Sequence, residues 1–156
     1  MWSGLVVGLL TLGFMNDGSA PSIPLIAREA PCALRGMQAT CSSIWSQGLH
    51  PTHFKQHYQI RAPETGARFF EGIGTYRIAA DGSVDGVWAD SNGNIHPLDG
   101  TWDGRHLRIN WGTPETEQGR SEYHFDPYEG LRTTDWVLGE DNQWHQFMTV
   151  TYPNPH

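Results

Sequence analysis

Three groups of residues in this chain have the types and spacing to do chemistry. The first is His50, His53 and His57, in the pattern H-x2-H-x3-H. On a helix, His53 and His57 would share one face, a pairing that suits zinc or copper. No acidic residue lies between His50 and His57 and there is no H-E-x-x-H, so no metal is expected. Solvated histidines are the simpler account. Haem is left open, since nothing singles out one of the eight histidines as an axial ligand.

The second group is Glu122, Asp135 and His145, acid–base types on late strands. Paired carboxyl and imidazole groups catalyse when their environments push their pKa values apart. Asp135 is the best candidate for a buried group of that kind. Ser121 with His124 or His145 and Asp135 holds triad residue types, yet no G-x-S-x-G elbow is present. Glu115, Glu117 and Glu122 fit a solvated rim. The third group is Arg120 with Ser121 and Tyr123. There a guanidinium could clamp a ligand carboxylate bidentately, with an exterior cross-strand ion pair as the alternative.

These residues must be held by strands. Thr101–Gly112 alternates Leu107, Ile109 and Trp111 against His106, Arg108 and Asn110 after an Asp103-Gly104 turn, a strong hairpin signature. The same pattern predicts strands near 70–79, 83–90, 94–102, 105–111, 119–126, 130–138 and 143–152. Asp81-Gly82, Asn92-Gly93, Gly112–Gln118, Asp126–Gly130 and Gly139–Asn142 form the other turns. An eighth strand is available from 54–62. Short connections at regular spacing mean an antiparallel meander, and closure removes its edges. The fold class is therefore all-β, an up-and-down barrel of about seven to eight strands, with a sandwich as the alternative.

Alternation nominates an inward set that includes Tyr76, Trp88, Trp102, Trp111, Ser121, Tyr123 and Met148. For 130–138 two parities compete: Thr133 and Asp135 inward with Leu131 and Val137, or Thr134, Trp136 and Leu138. The expected ligand-binding residues are Tyr76, Trp88, Trp102, Trp111, Arg120, Ser121, Tyr123, Thr133 and Asp135. The same rings could instead fill a solid core.

Upstream, residues 21–69 read as a lead-in of the same domain, and 70–156 as the barrel. Met37, Cys41, Ile44 and Trp45 fall at helical spacing, and Pro51 could open a second short helix through Tyr58. Cys32 and Cys41 are the only cysteines and could form a disulfide in an oxidising compartment. Leu5–Phe14 has the length of a signal-peptide core, with Gly18-Ser19-Ala20 as a cleavage site. No Lys or Arg precedes it, however. Residues 1–20 are thus expected to be a signal peptide, and the protein to be exported, periplasmic or secreted, with no membrane association after cleavage.

Composition agrees with a turn-rich β domain: 156 residues with 18 Gly, 10 Pro and 7 Trp. A net charge of −7 with no basic cluster argues against a nucleic-acid partner.

Asp85-Gly86-Val87-Trp88 and Asp99-Gly100-Thr101-Trp102 share the form D-G-x-W, and Gly74-Thr75-Tyr76 is a looser copy. With the meander and the length, these resemble the calycin superfamily, the lipocalin-like and avidin-like barrels. Leu131–Leu138 is similar to a late avidin strand, in which a Trp precedes an apolar pair. The biotin-contacting pattern and the closing lipocalin arginine motif have no counterpart here. The resemblance therefore implies a cup-shaped pocket for a small molecule and does not imply biotin.

Three functions are expected in order. The first is an exported carrier of a small apolar or aromatic molecule, without a cofactor. The second is a cyclase- or isomerase-type enzyme on the same barrel, and the third a periplasmic interaction or inhibitor module. A carrier predicts a roomy cup, and an enzyme a buried polar group with a shifted pKa. An interaction module predicts a filled barrel with an exposed aromatic patch. Oligomeric state is left open.

Overall fold

A computed structural model describes residues 21–155, among which there is no helix. Ten antiparallel strands follow one another: β1 (Ile26–Leu34), β2 (Met37–Gln47), β3 (His53–Arg61), β4 (Arg68–Ile78), β5 (Ser83–Asp90), β6 (Ile95–Trp102), β7 (His106–Trp111), β8 (Gly119–Asp126), β9 (Gly130–Leu138) and β10 (Trp144–Tyr152). Every ladder joins sequence neighbours, in the order β1 to β10. β1 also comes alongside β10, although no ladder links them among the described residues. The result is a nearly closed up-and-down barrel. The signal-peptide expectation for residues 1–20 lies outside the described residues.

The seven strands expected from residue 70 onward are present, with ends shifted by at most two residues. Their turns use the glycines that positive φ demands, for example Gly93 (φ 86°) and Gly104 (φ 98°). The helical lead-in is corrected: residues 26–61 form three strands that complete the barrel. Along β2 the inward positions are Ala39, Cys41, Ser43 and Trp45, all buried, while Ile44 faces out. Period two therefore governs: of the apparent helical stripe only Cys41 and Trp45 are buried, while Met37 and Ile44 are exposed. Pro51 sits in the β2–β3 turn. In β3, Phe54, Gln56, Tyr58 and Ile60 point inward.

Cys32 and Cys41 form a disulfide that fastens β1 to β2. A bond of this kind points to an oxidising environment. β1 also contains Pro31, which an edge strand tolerates because its missing N–H costs no inner ladder bond.

The interior has two halves. In one, Trp45 packs against Tyr76 (ring centroids 5.1 Å), Tyr123 (5.2 Å) and Phe125 (5.8 Å), and Trp102 meets Phe125 edge-on at 5.7 Å. Offset and edge-on rings of this kind fill space densely. This plug closes the barrel at the end bearing the β2–β3, β4–β5, β6–β7 and β8–β9 turns. Toward the opposite end the barrel is hollow.

Candidate functional site

The hollow half is a cavity of about 650 Å³, inside the roughly 300–1,000 Å³ of small-molecule sites. It opens between the β1–β2, β5–β6 and β7–β8 connections, which contribute Arg35, Asn92 and Glu117 to its mouth. Its walls are aromatic. Phe70 of β4 stacks on Trp88 of β5, with centroids 6.4 Å apart and planes at 14°, and Tyr58 of β3 meets Phe70 edge-on at 6.2 Å. The same wall continues through His96 of β6, the register partner of Trp88, whose ring lies 5.5 Å from that of Trp111 on β7.

Two irregularities in the sheet shape the rim. The β3–β4 register slips between Ile60 and Arg61, leaving Phe69 without an opposite residue. The β9–β10 register slips at Gln146/Met148, leaving Phe147 likewise. Each bulge turns an extra ring toward the opening, so Phe69 and Phe70 both line the cavity, as do Phe147 and Met148. Two glycines give the indoles room. A Cβ on Gly72 would lie 2.0 Å from Trp88 Cζ2, and one on Gly119 would lie 1.8 Å from Trp111 Cζ2, so each ring rests on the neighbouring strand where a side chain would be.

Among the described residues, Asp135 is one of three carboxylates that line the cavity, with Asp90 and Glu117. Ser121 and Asp135 are opposite each other in the β8–β9 register, and Ser121 Oγ donates to Asp135 Oδ1 at 2.5 Å. Trp111 Nε1 in turn donates to Ser121 Oγ at 3.3 Å, forming a short relay that ends on the carboxylate. Among the described residues no side chain bonds Oδ2. Burial pushes the Asp135 carboxyl up to about 6, and the Ser121 hydrogen bond offsets part of that rise. Ionised Asp135 adds to the effect of burial in holding Tyr58, Tyr123 and Tyr152 as neutral phenols.

Beneath Asp135, Gln56 joins the plug to the cavity. Its Oε1 accepts from Tyr76 (2.9 Å) and Tyr123 (3.2 Å), and its Nε2 reaches Ser43 Oγ at 3.4 Å. The Tyr58 hydroxyl lies 3.1 Å from Met148 Sδ.

Of the residues expected to bind ligand, Tyr76, Trp88, Trp111, Ser121, Tyr123, Thr133 and Asp135 line this cavity. The competing parity on β9 is resolved with Thr133 and Asp135 inward. Two expected residues are elsewhere. Trp102 belongs to the plug against Phe125. Arg120 is exposed outside the barrel, its guanidinium 3.9 Å above the Trp144 ring, because its alternation with inward Gly119 and Ser121 forces it out. It clamps nothing in the cavity.

The acid–base group does not assemble either. Glu122 is exposed on the outer face of β8, and His145 is exposed and paired with Asp141 at 2.9 Å. His124 faces out and stacks on His106 at 4.4 Å, while Ser121 bonds Asp135 directly, so no triad forms. The three histidines are not on a helix. His50 and His53 rings lie 5.3 Å apart at the β2–β3 turn, and His57 turns to Glu71 at 2.6 Å. Among the described residues no three His, Cys, Asp or Glu side chains converge on one point.

The residues missed from sequence are Gln56, Tyr58, Phe70 and His96. The first two are legible once 53–61 is read with period two. His96 follows from Leu98 by the same parity. Phe70 was assigned to a strand but not to a face, because the bulge beside it breaks the count.

No family model and no curated protein matches this chain, so the function is argued from the cavity.

Proposed function

We propose that this protein is an exported, calycin-like carrier that holds a small apolar or aromatic molecule in its barrel. The observation that carries this reading is the cavity itself: about 650 Å³, walled by aromatic rings, closed below by a packed plug and open at one end. Small barrels that bind one ligand are built this way. A protein acting only through its surface has no use for that hollow. The Cys32–Cys41 disulfide supports export, and the net charge of −7 disfavours a nucleic-acid partner.

The test is native mass spectrometry of the protein purified from its own host, before and after denaturation. An excess mass lost on unfolding supports the carrier, and its value separates an organic molecule from haem or a metal ion. A clean mass, together with no binding of an apolar fluorescent dye, overturns it.

A second reading, an enzyme on the same barrel, is favoured by one observation. Asp135, raised to about 6, has the proton affinity of a general base working near neutrality. It would accept a proton at Oδ2 from a carbon or hydroxyl of the bound molecule. Turnover abolished in Asp135→Asn, with binding retained, supports this reading.

A further inference from the structure

The polar groups of the cavity have a sense that the aromatic walls do not. Most of the hydroxyl and indole donors on the wall are already directed at protein, Trp88 Nε1 and the Thr133 hydroxyl being the exceptions. Tyr76 and Tyr123 point at Gln56 Oε1, Tyr58 faces the Met148 and Cys41 sulfurs, Trp111 donates to Ser121, and Ser121 donates to Asp135. Alongside the Trp88 and Thr133 donors and the buried, unpaired His96 Nδ1, the one charged acceptor left open is Asp135 Oδ2, without a partner among the described side chains. Charge points the same way. Three carboxylates, Asp90, Glu117 and Asp135, line the cavity against one guanidinium, Arg35, which stands at the mouth.

A neutral or anionic ligand would leave the buried carboxylate uncompensated, and an anion would be repelled by it. A cationic ligand removes that penalty. It also gains from the ring faces of Phe70, Trp88 and Trp111, which attract cations through their quadrupoles.

We propose that the cavity selects flat aromatic molecules bearing a protonated amine, whose N–H groups are donated to Asp135 Oδ2 while the ring lies against the wall that carries Trp88 and Trp111. This rests on the carrier reading and narrows it to a ligand class. The partner is defined by its chemistry: an aryl ring, a short linker and an ammonium group.

The experiment is isothermal titration of the full-length, disulfide-bonded protein with three indoles of similar shape near neutral pH. Tryptamine carries the ammonium, tryptophol a hydroxyl, and indole-3-acetate a carboxylate. A charge-assisted hydrogen bond in a half-buried site predicts tryptamine binding about 10–100-fold more tightly than tryptophol, with indole-3-acetate weakest. Asp135→Asn should abolish that preference, bringing tryptamine and tryptophol to within about twofold of each other. Ser121→Ala, which keeps the carboxylate, should retain the preference and so guards against a misfolded Asn variant.

If tryptamine and tryptophol bind equally, or the amine advantage survives in Asp135→Asn, the amine assignment is overturned while the carrier reading stands. Tightest binding of indole-3-acetate would give the choice of ligand to Arg35 and also overturn it. If none of the three binds at millimolar concentration while an apolar fluorescent dye does, the amine assignment is overturned and the carrier reading stands; if the dye fails to bind too, the carrier reading falls as well.

Discussion

Replacing Asp135 with Asn should make the ligand-free protein more stable, and the gain should depend on pH in a defined way. The unfolded chain releases the Asp135 proton at the ordinary 3.8, whereas the folded protein holds it to about 6. Between those values the native state binds more protons, so stability falls as pH rises. The contribution is present below 3.8 and lost above about 6. At about 1.4 kcal/mol per pH unit, the full shift corresponds to about 3 kcal/mol. Asp135 opens onto the cavity and is half-buried rather than sealed, which reduces the expected gain to about 1–3 kcal/mol.

The amide removes the ionisation and keeps an oxygen for Ser121. The difference between variant and parent should therefore be near zero in acid, grow through the interval, and level off above it. Glu71, Asp81, Asp103, Asp126 and Asp141 are shifted downward by hydrogen bonds, chiefly from Gln59 and His57, Ser83, His106, Glu129 and His145 respectively. They impose the opposite pH trend, but on both proteins alike, so they cancel in the difference. The assay is urea unfolding followed by tryptophan fluorescence across the acid-to-neutral range, with a melting-temperature rise of roughly 3–10 °C at the plateau as the second readout. An Asn variant less stable than the parent at neutral pH, or a gap that stays constant with pH, would refute the account of a desolvated carboxylate.

Three further outcomes follow from the same structure. Replacing Cys32 and Cys41 with Ala opens a link between residues nine apart and should lower stability by about 2–3 kcal/mol; an unchanged urea midpoint would count against the staple. Gly119→Val drives Trp111 off its neighbouring strand, since even a Cβ falls 1.8 Å from the ring. It should alter the near-ultraviolet circular dichroism, weaken tryptamine binding by about tenfold or more, and cost about 1–3 kcal/mol. Arg120→Ala removes an exterior contact with Trp144 worth about 0.5–1 kcal/mol and should leave tryptamine affinity unchanged in titration; a large loss would return Arg120 to the site.

The barrel from β4 onward was legible because Asp-Gly and Asn-Gly turns punctuate strands whose apolar residues alternate strictly. β2 was not, because its inward residues Ala39, Cys41 and Ser43 are small and weakly apolar, so the larger Met37, Ile44 and Trp45 set a false period. The candidate site divides in the same manner. Tyr76, Trp88, Trp111, Ser121 and Tyr123 sit on regular strands whose parity places them correctly. Phe69, Phe70 and Phe147 depend on bulges, which shift parity by one residue and leave no mark in composition. Arg120 was misassigned because its chemistry suggested a ligand clamp while its parity, beside Ser121, already placed it outside. The direction of the polar network, with tyrosines converging on Gln56 from two strands, arises between β3 and β8 and has no local sequence pattern.

The order of the strands also bears on how the barrel forms. Each ladder connects segments adjacent in the chain, so each can close as a hairpin over a short loop at small entropic cost. An all-β protein of this topology has few distant pairings to wait for, and assembly can spread from any early hairpin in both directions. The exception is the meeting of β1 with β10, which joins the two ends of the described chain and has no ladder to lock it. That junction is the last to close and the first to part. Amides of the inner strands should therefore exchange with solvent far more slowly than those of β1 and β10.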